Sequence, residues 1–194
     1  NFSNRVDEIL MPLWVDALQD NNVGAIREIL SGYTSMVNRS VEMKHANYDR
    51  DNPLFSYTWN GFKRVFDKGF QSENQEVLFQ LSITVATISK YYYLHAPKGR
   101  ANYIHFKELI DTQHQLYVYA VGKTDPTLMS QVSSGYMELM GTVLLVDKGD
   151  LEADKAMTEK FADMIAIANL PHIQRIPTAG DEMYVQDLLV NAHI

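Results

Sequence analysis

The chain has no cysteine. Disulfides, thiolate nucleophiles and cysteine-ligated zinc are therefore excluded. Six prolines and ten glycines in 194 residues are too few for a low-complexity or collagen-like chain. Positive charge is also short, with 17 Lys and Arg against 24 Asp and Glu, a net charge of −7 and a pI near 5.3. The basic residues are scattered, and their one local cluster is Lys63, Arg64 and Lys68. A nucleic-acid partner selects a basic stripe, so none is expected. No signal peptide or transmembrane pattern is present. The most apolar uncharged stretch, Val77 to Ser89, rises only roughly 20 Å as a helix, short of the about 30 Å of a bilayer core. Also missing are a glycine-rich phosphate loop, a Gly-x-Ser-x-Gly elbow, a His-Glu-x-x-His pair and a dense acidic cluster for magnesium or calcium. No internal repeat of useful period is visible. The first residue is Asn, which reads as a processed chain or a fragment, with room for a membrane tether outside it.

What is present is hydrophobic periodicity. At 46% hydrophobic residues the chain can bury a real core, and no segment alternates with the period of a strand. Val77 to Ser89 holds Leu81, Val85 and Ile88 at helical steps, with only neutral polar residues between. It predicts a helix over about 72–95, capped by Ser72, buried on most sides and central to the fold. Before it, one helix spans about Ser3 to Asp20, with Ile9, Leu10, Leu13 and Ala17 as its stripe and Trp14 beside it. Pro12 inside that stripe predicts a kink or a late start. Asn21 and Asn22 form a turn and cap. The second helix carries Ile26, Leu30, Tyr33 and Val37, with Gly32 as a weak point or a close contact. Asn52-Pro53 opens a third helix with Phe55, Trp59, Phe62 and Phe66 on one face, ending near Gly69. After Pro97 a fifth helix runs from about Asn102 to Val121. Asp125-Pro126 starts a sixth, in which Gly135 and Gly141 would let a neighbouring helix come close. Asp150 caps a seventh. Residues 169–180 read as an extended connector, and Asp181 starts a last short helix. The expected fold is an all-α antiparallel bundle of about seven to eight helices. Residues 1–168 form the bundle domain, and 169–194 pack on it or on a partner.

The sharpest chemical pattern is a pair of acid-x-x-His steps, Glu42 with His45 and Asp111 with His114. Di-iron carboxylate bundles use Glu-x-x-His twice. At this density of acids and histidines such pairs also arise by chance. Their direction counts against a metal. At about 100° per residue, Asp111 points roughly 160° away from the apolar face centred near Gln113, and Glu42 points roughly 140° away from Val37. His105 and Glu108 read as a surface i, i+3 pair. Tyr91, Tyr92, Tyr93 and Tyr103 flank one turn. Three successive tyrosines cannot all face one core, so at least one is expected at the surface or in a contact.

These patterns give a functional expectation. The chain reads as a non-enzymatic helical interaction or regulatory domain of a larger or membrane-tethered assembly, with a protein partner or self-association and no cofactor. A cytoplasmic location is favoured. The alternative is a sensor or carrier for a small apolar or aromatic ligand, lined by Thr84, Thr87 and the tyrosines at 91, 92, 93 and 103. A second alternative is a carboxylate-histidine metalloenzyme built on Glu42, His45, Asp111 and His114.

Overall fold

A computed structural model describes residues 2–43, 53–96 and 100–146, together with Lys155, Glu159, Lys160 and Ala162. Six helices fall in this range: α1 (Phe2–Gln19), α2 (Val23–Glu42), α3 (Pro53–Gln71), α4 (Gln75–His95), α5 (Arg100–Gly122) and α6 (Pro126–Val146). The four residues beyond 146 are also helical, and no strand occurs among the described residues. The chain is all-helical. The connector at 169–180 and the short helix expected from Asp181 lie outside the described residues.

The same turn joins α1 to α2, α3 to α4 and α5 to α6. In each, a residue in the left-handed region (Asn21, Glu73 or Thr124, φ 49 to 51°) stands before an Asn or Asp N-cap. The left-handed residue donates its N–H to the carbonyl three residues back, at Leu18, Phe70 and Val121 respectively. In the first and third turns the cap residue reaches five residues back, from Asn22 N to Ala17 O and from Asp125 N to Ala120 O, both 2.9 Å. This is a Schellman end that satisfies the last carbonyls of one helix and runs straight into the next helix. In the middle turn Ser72 inserts its hydroxyl, which donates to Gly69 O at 2.6 Å and accepts from Asn74 N. The following helices are capped alike. Asn22 Oδ1 accepts from Ala25 N, Asn74 Oδ1 from Glu76 N and Val77 N, and Asp125 Oδ1 from Leu128 N. The N-cap of α4 is thus Asn74. Ser72, expected in that role, belongs to the turn.

The caps Asn22, Asn74 and Asp125 stand 52 and 51 residues apart, and the core follows the same spacing. Trp14, Phe66 and Tyr117 occupy one position of the hairpin and are all buried. So are Ala17, Gly69 and Ala120 three residues later, and Ile26, Leu78 and Met129 after the turn. The chain therefore contains an internal repeat, a helical hairpin of about fifty residues. Sequence inspection missed it because the three copies share burial and turn geometry but almost no residue identity.

The chain divides into two compact units, Asn1–Leu109 and Ile110–Ile194. In the first, α2 packs on α1, α3 and α4, and α3 packs on α1 and α4. Arg27 near the start of α2 bonds Glu76 near the start of α4 at 2.9 Å, and Glu42 at the end of α2 bonds Tyr91 near the end of α4. Hence α2 and α4 run parallel, and α1 and α3 form a second parallel pair. The two hairpins lie side by side in register. Their turns are bridged by Asn74 Nδ2 donating to Asn21 Oδ1 at 2.8 Å. Gly69 marks the closest approach. A Cβ there would lie 2.9 Å from Trp14 Cζ2, 3.0 Å from Leu81 Cδ1 and 3.1 Å from Val77 Cγ1. Gly69 is therefore a packing contact within α3, which ends two residues later at Gln71. Ser82, Thr84 and Ser89, buried in α4, send their hydroxyls to carbonyls three or four residues back in the same helix, which removes the cost of burying them. Ile83, Thr87 and Leu94 leave one side of α4 exposed.

In the second unit, Leu116, Tyr117, Ala120, Leu128, Val132, Tyr136 and Leu139 are buried on α5 and α6. Lys160 reaches Asp111 at 2.9 Å.

Several details depart from expectation. α1 runs unbroken through Pro12. Its anchors are Trp14 and Ala17, whereas Ile9 and Leu13 of the expected stripe are 63% and 51% exposed. Nothing lies within 4 Å of a Cβ built at Gly32 or Gly141, so neither admits a close neighbour.

Candidate functional site

The start of α3, the end of α4 and the first turns of α5 converge on an aromatic cluster within the first unit. Phe55 is at its centre, with ring centroids 4.5 Å from Tyr92 and 5.0 Å from His105. Tyr93 packs on Phe106 at 5.2 Å, and Trp59 stacks on Phe62 at 5.3 Å. Aromatic pairs at such separations contribute about 0.5–1.5 kcal/mol each beyond the area they bury. Two polar groups stitch the edge. Trp59 Nε1 donates to Glu108 Oε2 at 3.1 Å, and Ser56 Oγ lies 3.4 Å from His105 Nε2. His105 is buried, and its Nδ1 is 3.8 Å from the Glu108 carboxylate. The His105–Glu108 pair is thus not the surface pair expected. The first turns of α5 pack on α3 and α4, so the face bearing His105 is covered.

The tyrosine run divides as the helix rotates. Tyr92 and Tyr93 are core residues, and Tyr91 is half-buried at the rim, where its phenol donates to Glu42. That hydrogen bond to a carboxylate, helped by partial burial, raises the Tyr91 pKa above the usual tyrosine value. The Tyr91 ring also packs on His95, the last residue of α4, at 4.2 Å. Tyr103 lies in α5, with its side chain outside those described. Thr84 is buried and Thr87 exposed. Both hydroxyls are spent on their own helix, bonding Gln80 O and Ile83 O at 2.8 Å.

Of the four residues read as possible metal ligands, Glu42 is exposed in the first unit and bonded to Tyr91. His45 lies outside the described residues. Asp111, in the second unit, is exposed and paired with Lys160, while His114 is half-buried. Among the described residues no three His, Asp or Glu come together in a group able to hold a metal ion. No described helix is long and apolar enough to cross a membrane.

Sequence reasoning missed the more informative surface, which is the outer edge of the first hairpin. At matching positions of the repeat, the second and third hairpins bury Val65 and Leu116, Leu81 and Val132, and Ile88 and Leu139. The first hairpin carries Leu13, Ile29 and Met36 there, exposed or half-buried. The signal was present in the sequence only as apolar residues on α1 and α2. Placing Leu13 in the buried stripe of α1 was the natural reading without the repeat. Comparison with family models, curated proteins and solved structures returns no match.

Proposed function

We propose that this protein is a non-enzymatic helical interaction domain, built from repeated helical hairpins within a seven- to eight-helix chain, and that it works by holding protein partners. The repeat carries this reading. Three hairpins share one turn and one pattern of buried positions, and the first two lie in register. Repeats of this kind bury their apolar faces on their neighbours and present long, uninterrupted surfaces to partners. The side chains expected to line a ligand pocket support the same reading. Tyr92 and Tyr93 are used in the core, and the two threonine hydroxyls are taken by backbone.

The test is mass-resolved solution scattering on the chain with and without residues 169–194. Concentration-dependent dimers or larger species that disappear on truncation support an assembly domain whose tail makes the contact. A compact monomer in both forms, stabilised against heat by a small apolar or aromatic compound, refutes it in favour of a ligand carrier.

A further inference from the structure

The edge of the first hairpin behaves as an interior face without its neighbour. In the first unit, α3 lies against α1, with Gly69 close on Trp14, and Val65 one turn earlier is fully buried. The equivalent of Val65 on α1 is Leu13, and it is 51% exposed. One turn before it Ile9 is 63% exposed, and the exposed Pro12 lies between them. On α2 the same edge continues through Ile29 and Met36, both half-buried, and past Gly32, where open space takes the place of a contact. The equivalents of Gly32 are Thr84 and Gly135, and both are buried.

We propose that this edge, centred on Ile9 and Leu13, docks an amphipathic helix of a partner protein that carries basic residues beside its apolar stripe. The inference rests on the reading of the chain as an interaction domain. The repeat supplies the form of the occupant, since Val65, the buried counterpart of Leu13, lies on the helix that packs against α1. Charge supplies its chemistry. Among the described side chains, Glu8 and Asp16 are the exposed charges of α1, with Asp20 exposed just after it, and Glu28 is exposed on the neighbouring stretch of α2, where the exposed Arg27 is paired with Glu76 and the exposed Arg39 lies at the far end of the helix. No cation is exposed among the described side chains of α1. Such a rim favours lysine and arginine beside the bound stripe and repels an anionic lipid surface. A docked helix needs only anchors at i, i+3 and i+4 to hold such an edge.

The experiment uses the full chain and a fluorescent synthetic helix with leucines at i, i+3, i+4 and i+7, flanked by lysine and arginine. Anisotropy titration should give saturable binding that weakens with salt and falls about tenfold or more in Leu13→Ser and Ile9→Ser, as hot-spot anchors do. Ile83→Ser on the exposed side of α4 should bind as the parent does. Undiminished binding to Leu13→Ser, or equal binding of a helix flanked by glutamate, overturns the proposal. So does self-association in sedimentation equilibrium that Leu13→Ser abolishes, which gives the face to a second copy. Association with phosphatidylserine vesicles through Leu13 also overturns it and gives the face to a membrane. A chain that assembles through residues 169–194 yet binds no basic helix sinks this inference and leaves the interaction-domain reading standing.

Discussion

Gly69→Ala isolates the packing that locks the first two hairpins together. A Cβ at this position would meet Trp14 Cζ2 at 2.9 Å, Leu81 Cδ1 at 3.0 Å and Val77 Cγ1 at 3.1 Å. Trp14 and Leu81 are fully buried and Val77 nearly so, so the space can open only by moving core. The indole ring is rigid and valine is stiff at χ1, which leaves Leu81 as the one adaptable neighbour. Overpacking of this kind costs about 1–3 kcal/mol. Alanine returns up to about 1 kcal/mol in helix propensity, so the net loss should be about 0–2 kcal/mol. Gly32→Ala is the matched control. It lies inside α2, is exposed, and has nothing within 4 Å of its new Cβ, so it should stabilise by about 0.5–1 kcal/mol. The difference between the two variants then reads the clash alone. Both tryptophans of the chain, Trp14 and Trp59, lie in the first unit, so denaturant unfolding followed by tryptophan fluorescence reports this unit. The midpoints should separate at similar slopes. Trp14→Phe removes the part of the indole that carries Cζ2, so the two sites should couple by about 0.5 kcal/mol or more in a double-mutant cycle. Equal stabilisation by Gly69→Ala and Gly32→Ala would refute the close approach of α1 and α3.

Three further perturbations test other parts of the structure. Asn74→Ala removes the cap of α4 and the bridge to Asn21 together, and should cost about 1–2 kcal/mol by denaturant unfolding, with Asn74→Asp keeping the cap and losing the bridge. Gln113 is fully buried on α5 with neither end of its amide hydrogen-bonded, so Gln113→Met should raise stability by about 1 kcal/mol or more. A thermal-melt loss of that size would instead reveal a partner for the amide. Burial holds the Tyr117 phenol well above the usual tyrosine value of about 10. Below that pH both states keep the proton. Above it the unfolded chain loses its proton first, so stability falls by up to about 1.4 kcal/mol per pH unit. Tyr117→Phe should remove that share of the alkaline slope, and an unchanged slope between pH 10 and 12 counts against it.

Much of the fold was legible from local signals. The apolar face of α3 was read correctly through Trp59 and Phe62, because helical spacing repeats within a few turns. Asn22 and Asp125 were read as caps because the side chain and the N–H it serves are three residues apart. Pro53 and Pro126 each open a helix for an equally local reason, since a missing N–H costs nothing in the first turn. Errors arose where a neighbour distant in sequence decides the outcome. Leu13 and Val65 have the same character in the sequence. One is exposed and the other buried because α3 has α1 beside it and α1 has no described counterpart. His105 looked like a surface partner of Glu108 until α3 and α4 closed over it. Gly69 and Gly32 look alike as interruptions of a helix, yet Trp14 comes within touching distance of one and nothing approaches the other.

The sequence by itself determined that the chain is helical, where most helices begin, and that no cysteine chemistry is available. These follow from periodicity, capping and composition, which act over a few residues. The tertiary structure alone decided that three hairpins are copies of one unit, that Gly69 sits at a helix crossing, and that the tyrosine run is mostly core. It also decided that Ile9 and Leu13 are exposed. Each of these depends on which faces meet, and two sequences with little identity can bury the same positions when their turns fix the same geometry.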